Sequence, residues 1–145
     1  MDNMKIFARN NKVIGYLTYR ELPSKESIAE LLLVPFVDNH HTIIHDIHSK
    51  IDVFPIIELT DISITNKRNR RKRYGSMAIG KFLEYAKVTG YRYAVVKIGK
   101  HSIHDSLDGH TDFYTRNGWN RFVAPSEFSP RFAYYDLSKL SLIHI

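Results

Sequence analysis

The sequence predicts an α/β domain in which helices flank a sheet of mixed parallel and antiparallel strands. Three observations support this class. Two strand-like segments flank Asn10-Asn11, a turn signal that predicts an early antiparallel hairpin. Helical and strand-like periodicities then alternate from residue 41 onward. The run Tyr93–Ile98 is almost continuously apolar, which is typical of a strand covered on both faces.

The composition is that of one globular domain spanning residues 1–145. The 145 residues are 43% hydrophobic, enough for a core without covalent staples. The absence of cysteine excludes disulfides and thiolate metal sites and agrees with the cytoplasm, where we expect the protein to act. No apolar run approaches the roughly 18 residues of a membrane span, so we expect no membrane partner.

The first part of the chain predicts a hairpin followed by a segment of ambiguous structure. Residues 4–9 and Val13–Leu22 are its two strands, and Pro23 ends the second one. Residues 26–33 fit either a helix or, with Pro35, a kinked strand.

A helix over residues 41–51 is predicted next, with one apolar stripe, Ile44, Ile47 and Ile51. A second stripe consists of His41, His45 and His48. Three imidazoles at this spacing can converge on a metal ion, but no H-E-x-x-H carboxylate accompanies them. The favoured interpretation is that these histidines lie on a solvated helix face. A third interpretation is that this helix lines the cleft that binds the acceptor.

The second part of the chain predicts a central strand, Ile56–Ile64, and an amphipathic helix over residues 75–89 ended by Gly90. The apolar face of this helix is formed by Ala78, Ile79, Phe82, Leu83 and Ala86.

After Tyr93–Ile98, a weaker helix over residues 104–117 is predicted to end at Gly118. Residues 122–123 are predicted to start a strand, residues 125–130 to form a loop, and residues 131–137 to form the last strand.

Much of the net charge of +6 lies in the loop between the central strand and the amphipathic helix. The basic residues are Lys67, Arg68, Arg70, Arg71, Lys72 and Arg73. Such a loop is either a solvated connection or an anion site, because free N–H groups at a helix start attract anions. Concentrated charge indicates a local anion, whereas a general nucleic-acid surface spreads its charge over a face. No P-loop or dinucleotide fingerprint is present.

The loop also resembles a known motif. The segment Arg70, Arg71, Lys72, Arg73, Tyr74, Gly75 and Ser76 is similar to the acetyl-CoA pyrophosphate loop of the GNAT acetyltransferase superfamily, R/Q-x-x-G-x-G/A. Arg70 and Gly75 match the pattern, and Arg73 stands where a glycine is usual. Ser76 would cap the helix or donate to a phosphate oxygen.

A second motif strengthens the resemblance. The segment 113–119, FYTRNGW, is similar to the family's F-Y-x-x-x-G-F signature and follows the loop in the family's order. The resemblance covers residues 56–140, the expected cofactor-binding core. Residues 1–55 are atypical, since the family's first strand and two following helices are not recognisable. The family's asparagine and alanine are replaced by Leu107 and His110.

The resemblance implies an acetyl-CoA-dependent N-acetyltransferase with a GNAT fold, a mostly antiparallel sheet containing one splayed parallel pair. The backbone at Ile62, Ser63 and Ile64 would bind pantetheine and polarise the thioester carbonyl. Tyr114 would be the general acid; its alternative role is that of a packed core aromatic. Glu58 would be the general base through water; the favoured alternative is an exposed carboxylate or a partner of the basic loop. Asp61 is expected on the opposite strand face, because side chains alternate.

Two function classes remain open. The first is acetyl transfer to an amine acceptor, by direct attack in a ternary complex, with a homodimer compatible with the superfamily. The second is a catalytically inactive module on the same fold that uses the basic loop to contact RNA or protein. A dedicated DNA binder ranks third, since no DNA-binding motif is present.

Overall fold

A six-stranded mixed sheet forms the centre of the chain, in agreement with the predicted α/β class. The computed structural model describes residues 2–27, 40–65, 74–98, 114, 117–121 and 131–141. The strand order is β1-β2-β3-β4-β6-β5. The strands are β1 (Asp2–Phe7), β2 (Val13–Leu22), β3 (Ile56–Ile64), β4 (Tyr93–Ile98), β5 (Asn120–Arg121) and β6 (Arg131–Asp136).

The predicted hairpin is confirmed. Strands β1 and β2 pair antiparallel around a turn in which Asn11 takes φ 64°, the left-handed conformation that asparagine tolerates. β2 has the predicted bounds. β1 lies two residues earlier than predicted, because Ala8 is already part of the turn, where its backbone forms hydrogen bonds with Lys12 and Asn11.

Only one pair of neighbouring strands is parallel within the described sheet. β3 pairs antiparallel with β2 and parallel with β4. β4 pairs antiparallel with β6, which also carries the short strand β5. A parallel pair needs a crossover, and the helix between β3 and β4 supplies it. The resulting topology is mostly antiparallel with one parallel pair.

Among the described residues, two long helices lie on opposite faces of the sheet: α1 (His40–Lys50) and α2 (Tyr74–Thr89). The α2-side core includes the apolar helix face predicted from the sequence and the sheet residues Leu17, Ile57, Leu59, Ala94, Val96 and Ala133. The α1-side core is smaller and consists of Leu22, Ile47, Ile51, Ile56, Tyr93, Val95 and Phe132. Because β4 contributes alternate residues to both cores, it is buried on both faces, as its apolar run predicts.

Gly90 ends α2 at φ 110°, and the N–H of Tyr91 donates to Ala86 O, as expected for a glycine-terminated helix. Neither α1 nor α2 is long and apolar enough to cross a membrane.

The C-terminal part corrects one strand boundary. The strand predicted to start at residues 122–123 is already paired at Asn120–Arg121, directly after the turn at Gly118, whose φ is 88°. β6 ends one residue before the predicted boundary, because Asp136 caps the 3-10 turn Leu137–Lys139 by accepting a hydrogen bond from the N–H of Ser138.

Several predictions lie outside the described residues. They concern the basic loop before Tyr74, the loop at residues 125–130 and most of the segment 26–33. In that segment only the residues up to Ser27 are described, and they are helical. The helix over residues 104–117 is described only at Tyr114, which is helical, and at Asn117.

Candidate functional site

The parallel strands β3 and β4 separate towards their carboxyl ends. Their pairing runs from Ile57 and Ala94 to Leu59 and Val96. β3 continues for five more residues, to Ile64, and over that length it pairs with β2 alone among the described strands. The result is a gap between two parallel strands at the end of β3, hereafter the β3–β4 gap.

The backbone of β3 presents N–H groups to this gap. Thr65 N donates to Ile14 O across 2.9 Å, so Gly15 and Ile64 form a non-hydrogen-bonded antiparallel pair. The backbone groups of Ile64 therefore point away from β2, and those of Ile62 do so by alternation. Ser63 directs its backbone N–H towards β2 instead. Of the three residues predicted to contact the cofactor, two thus direct their N–H groups towards the β3–β4 gap.

A β-bulge precedes these residues. Thr18 lies opposite Asp61 and Tyr19 opposite Leu59, so Thr60 is the extra residue of β3. The Thr60 hydroxyl lies 2.7 Å from that of Thr18. A bulge turns the strand and changes the alternation of its side chains, which accounts for the departure of β3 from β4.

The bulge also corrects the predicted placement of Asp61. Glu58 lies opposite Arg20, and Asp61 lies opposite Thr18, two residues away on β2. Cross-strand neighbours share a face, and residues two apart on one strand do so as well. Glu58 and Asp61 therefore lie on the same face of β3. The expectation that they face opposite ways was wrong because simple alternation does not include an inserted residue.

Glu58 is a buried carboxylate with a defined partner. It is 4% exposed, and its Oε1 accepts a hydrogen bond from Arg20 Nε at 2.5 Å. The Arg20 side chain is 41% exposed. The interpretation of Glu58 as an exposed carboxylate was therefore wrong. The sequence did not indicate Arg20, because only the strand register brings the two side chains together.

Tyr114 is buried beside Trp119. Its residue exposure is 9%, and the two rings meet edge to face with centroids 5.5 Å apart. The N–H groups of Asn117 and Trp119 both donate to Tyr114 O, and Gly118 supplies the positive φ that this tight turn requires. Within the described part of the motif, Tyr114 and residues 117–119 thus form a local unit that holds the phenol in place.

Burial, and secondarily the negative charge of Asp61, raises the pKa of the Tyr114 hydroxyl to about 12. Tyr114 and Ile62 also contact the same α2-side core. At neutral pH the Tyr114 phenol keeps its proton.

The N-terminus of α2 supplies further donors. Tyr74 is buried at 6% exposure, while Gly75 and Ser76 are half-buried in the first turn. That turn contains no acidic residue, so no carboxylate within it offsets the partial positive charge of the helix N-terminus. The other predicted anion ligands, Arg70, Arg71, Lys72 and Arg73, lie outside the described residues.

The histidine stripe on α1 gives no metal site within the described part of the chain. His45 is exposed, and His48 is half-buried with its Nε2 atom buried and without a hydrogen-bond partner. The side chain of His41 is not among those described. Across the described ranges, no three histidine, aspartate or glutamate side chains are grouped closely enough to bind a metal ion.

The fold is similar to that of solved structures that include an acetyltransferase. Arylalkylamine N-acetyltransferase 2 from Aedes aegypti has a TM-score of 0.59 at 14% identity, over 93% of this chain and 73% of that one. A bacterial toxin has a TM-score of 0.58 at 11% identity, over 92% of this chain and 66% of its own. AtaTR bound with AcCoA has a TM-score of 0.53 at 12% identity, over 90% of this chain and 62% of that one.

The sequence itself matches no protein-family profile and no curated protein. At such low identities the structural likeness establishes the fold. The chain has the GNAT acyltransferase fold, and its described residues form the mixed sheet, with one parallel pair of strands, and helices that flank it.

Proposed function

We propose that this chain is an N-acetyltransferase that transfers an acetyl group from acetyl-CoA to a primary amine by direct attack in a ternary complex. The observation that carries the proposal is the β3–β4 gap, towards which Ile62 and Ile64 direct their N–H groups. The residues that line this gap belong to the segment 56–140. We propose that the chain forms a single domain and acts in the cytoplasm.

The chemistry of the site fits acetyl-CoA. An extended, amide-containing chain such as pantetheine can pair with strand backbone at the gap, as a further strand would. The pyrophosphate would bind the N-terminal turn of α2 at Gly75 and Ser76, with Arg70, Arg71, Lys72 and Arg73 neutralising its charge. Bound acetyl-CoA would supply an acetyl thioester; the protein's task is to polarise its carbonyl and stabilise its leaving sulfur.

Tyr114 is the proposed acid. With a pKa of about 12 its Oη atom holds a proton throughout the neutral range. A thiol is more acidic than this phenol by roughly 3 to 4 pKa units. We therefore propose that Tyr114 stabilises developing negative charge on sulfur by donating a hydrogen bond, and that the departing thiolate, a weaker base than the Tyr114 phenolate, takes its proton from water.

Glu58 is the proposed base, through its second carboxylate oxygen. Because Oε1 is bound to Arg20 Nε, Oε2 is the atom left to accept a proton through a water molecule. The same ion pair also connects β2 to β3 two residues before the bulge, so Glu58 positions the gap as well.

Calorimetric titration of the whole chain with acetyl-CoA tests this proposal. We expect one binding site and a rise in melting temperature, since a ligand that binds only the folded state stabilises it. Turnover would then be followed by thiol release with a panel of primary amines. If acetyl-CoA at millimolar concentration gave neither heat nor a thermal shift, the proposal would be wrong, and the inactive binding module would be the better interpretation.

A further inference from the structure

Asp61 occupies a different environment from Glu58 although both lie on one face of β3. Asp61 follows the bulge at Thr60 and directly precedes Ile62, at the start of the β3–β4 gap. Asp61 is exposed, whereas Glu58 is 4% exposed. Within the described ranges, Glu58 forms an ion pair with Arg20, and Asp61 forms no ion pair.

Asp61 also acts on the proposed acid. Its negative charge is one of the two causes that raise the pKa of the Tyr114 hydroxyl. The Asp61 carboxylate is therefore exposed to incoming molecules, directly precedes Ile62 and is electrostatically coupled to Tyr114.

We propose that Asp61 binds the ammonium group of the acceptor, so that the acceptor is an alkyl amine that is cationic in solution. This inference rests on the proposed function and narrows its substrate class. An exposed carboxylate beside the reacting centre attracts an ammonium group and forms a charge-assisted hydrogen bond with it. A neutral aromatic amine lacks the charge–charge attraction and can donate only a weaker hydrogen bond to the carboxylate.

The proposed contact also orients the acceptor. Asp61 and Ile62 are adjacent in β3, so an amine held by this carboxylate lies close to the backbone N–H proposed to polarise the carbonyl. Holding the nitrogen near its target reduces the entropic part of the barrier. The amine must still lose a proton before it attacks, and the proposed acceptor of that proton is Glu58 through water.

The variant Asp61→Asn tests the proposal with two acceptors of similar size. Benzylamine is cationic at neutral pH, and aniline is neutral. We expect the substitution to lower kcat/KM for benzylamine by about 10- to 100-fold, mainly through KM, as for the loss of a hydrogen bond to a charged group. For aniline the expected change is less than about 2-fold. Equal losses for the two amines, or no loss for benzylamine, would overturn the proposal.

Asp2→Asn is the matched control. Asp2 is also an exposed aspartate on a strand, but its charge acts on Tyr19 and Tyr91 and not on Tyr114. We expect this variant to retain wild-type kcat/KM for both amines.

A titration that does not depend on activity tests the placement of Asp61. Ionisation of Tyr114 changes the ultraviolet absorbance of the protein. Its contribution is the difference between the pH titration of a protein that has Tyr114 and the titration of the same protein with Tyr114→Phe added. In Asp61→Asn its midpoint should move to lower pH, because one of the two causes that raise the pKa of Tyr114 is removed. An unchanged midpoint would overturn the placement.

The two levels of proposal fail in different ways. If the wild-type chain neither binds acetyl-CoA nor acetylates an amine, the proposed function is wrong, and the inference is wrong with it. If the wild-type chain acetylates both amines and Asp61→Asn affects them alike, the function stands and only the assignment of Asp61 is overturned.

Discussion

At the residue scale, the surroundings of Tyr114 determine what its hydroxyl group can do. The phenol is enclosed by Trp119 and by the turn at Gly118, and its pKa of about 12 keeps it protonated at neutral pH. A group in this state donates a hydrogen bond but does not accept a proton. This excludes Tyr114 as the general base at neutral pH.

The substitution Tyr114→Phe removes the donor and keeps the ring that packs on Trp119. We expect kcat to fall by about 10²- to 10³-fold, within the range of a lost general acid, with little change in acetyl-CoA binding. Steady-state kinetics with calorimetry of acetyl-CoA binding measure both quantities. Unchanged turnover would show that Tyr114 is only a core aromatic.

Tyr91→Phe is the control for this experiment. Tyr91 precedes β4 and donates to Glu21 Oε1 at 2.8 Å, at the end of the sheet opposite the gap. Its loss should leave kcat at the wild-type value.

The ion pair between Arg20 and Glu58 makes a second prediction. Arg20→Met leaves a buried carboxylate without its partner, and we expect the free energy of unfolding to fall by about 1–3 kcal/mol. Adding Glu58→Met should recover much of this loss, because replacing both partners removes the unpaired buried charge. Urea denaturation of the wild type, both single variants and the double variant measures the coupling. If the effects of the two single substitutions on the free energy of unfolding simply added in the double variant, the prediction would be wrong.

At the scale of elements, the approach of β2 to the end of β3 depends on Gly15. A Cβ atom at this position would lie 2.0 Å from Ser63 O and 3.0 Å from Ile64 Cα, so the strands must separate to admit any side chain. Gly15 thus permits the close contact by which the end of β3 stays paired with β2 after its pairing with β4 has ended.

We predict that Gly15→Ala lowers the free energy of unfolding by about 1–3 kcal/mol, as for other overpacked sites, and weakens acetyl-CoA binding through displacement of Ile62 and Ile64. Thermal unfolding and calorimetry measure these effects.

Gly80→Ala is the matched glycine control. Gly80 lies inside α2, and a Cβ there would have no heavy atom of the described residues within 4 Å apart from its chain neighbours and the backbone of its own helix. This variant should stabilise the chain by about 0.5–1 kcal/mol, since alanine favours a helix over glycine. If both substitutions had the same sign, the proposed role of Gly15 would be wrong.

At the scale of the whole molecule, buried and half-buried tyrosines make the fold sensitive to alkali. Burial is the leading cause that raises the pKa of Tyr19, Tyr91 and Tyr114, each to about 12. The unfolded chain releases these protons near pH 10, before the folded chain does. Stability due to the neutral phenols is therefore complete below pH 10 and is lost as the pH rises towards 12.

Tyr114 alone accounts for about 2–3 kcal/mol of this loss, at 1.36 kcal/mol for each pKa unit. The free energy of unfolding, followed by urea denaturation from pH 8 to 11.5, should decline above pH 10. The decline should be less steep in Tyr114→Phe. Equal slopes in the two proteins would contradict the assignment.

The sequence by itself determined the elements of this molecule. Periodicity reports which residues avoid water, so it predicted the bounds of β2, β3 and β4, the buried face of α2 and its end at Gly90. The two motifs, whose residue types and spacing are local properties, indicated the GNAT fold before any strand was paired.

Only the tertiary structure decided which side chains meet. The register of β2 against β3 pairs Glu58 with Arg20, and the extra residue Thr60 brings Asp61 to the same face. Neither fact follows from a periodic pattern, because a bulge changes the phase of alternation and a cross-strand partner can lie anywhere in the chain. The backbone edge at Ile62 likewise depends on where β4 stops pairing. Local hydrophobic pattern therefore determines the elements, and long-range strand pairing determines the site.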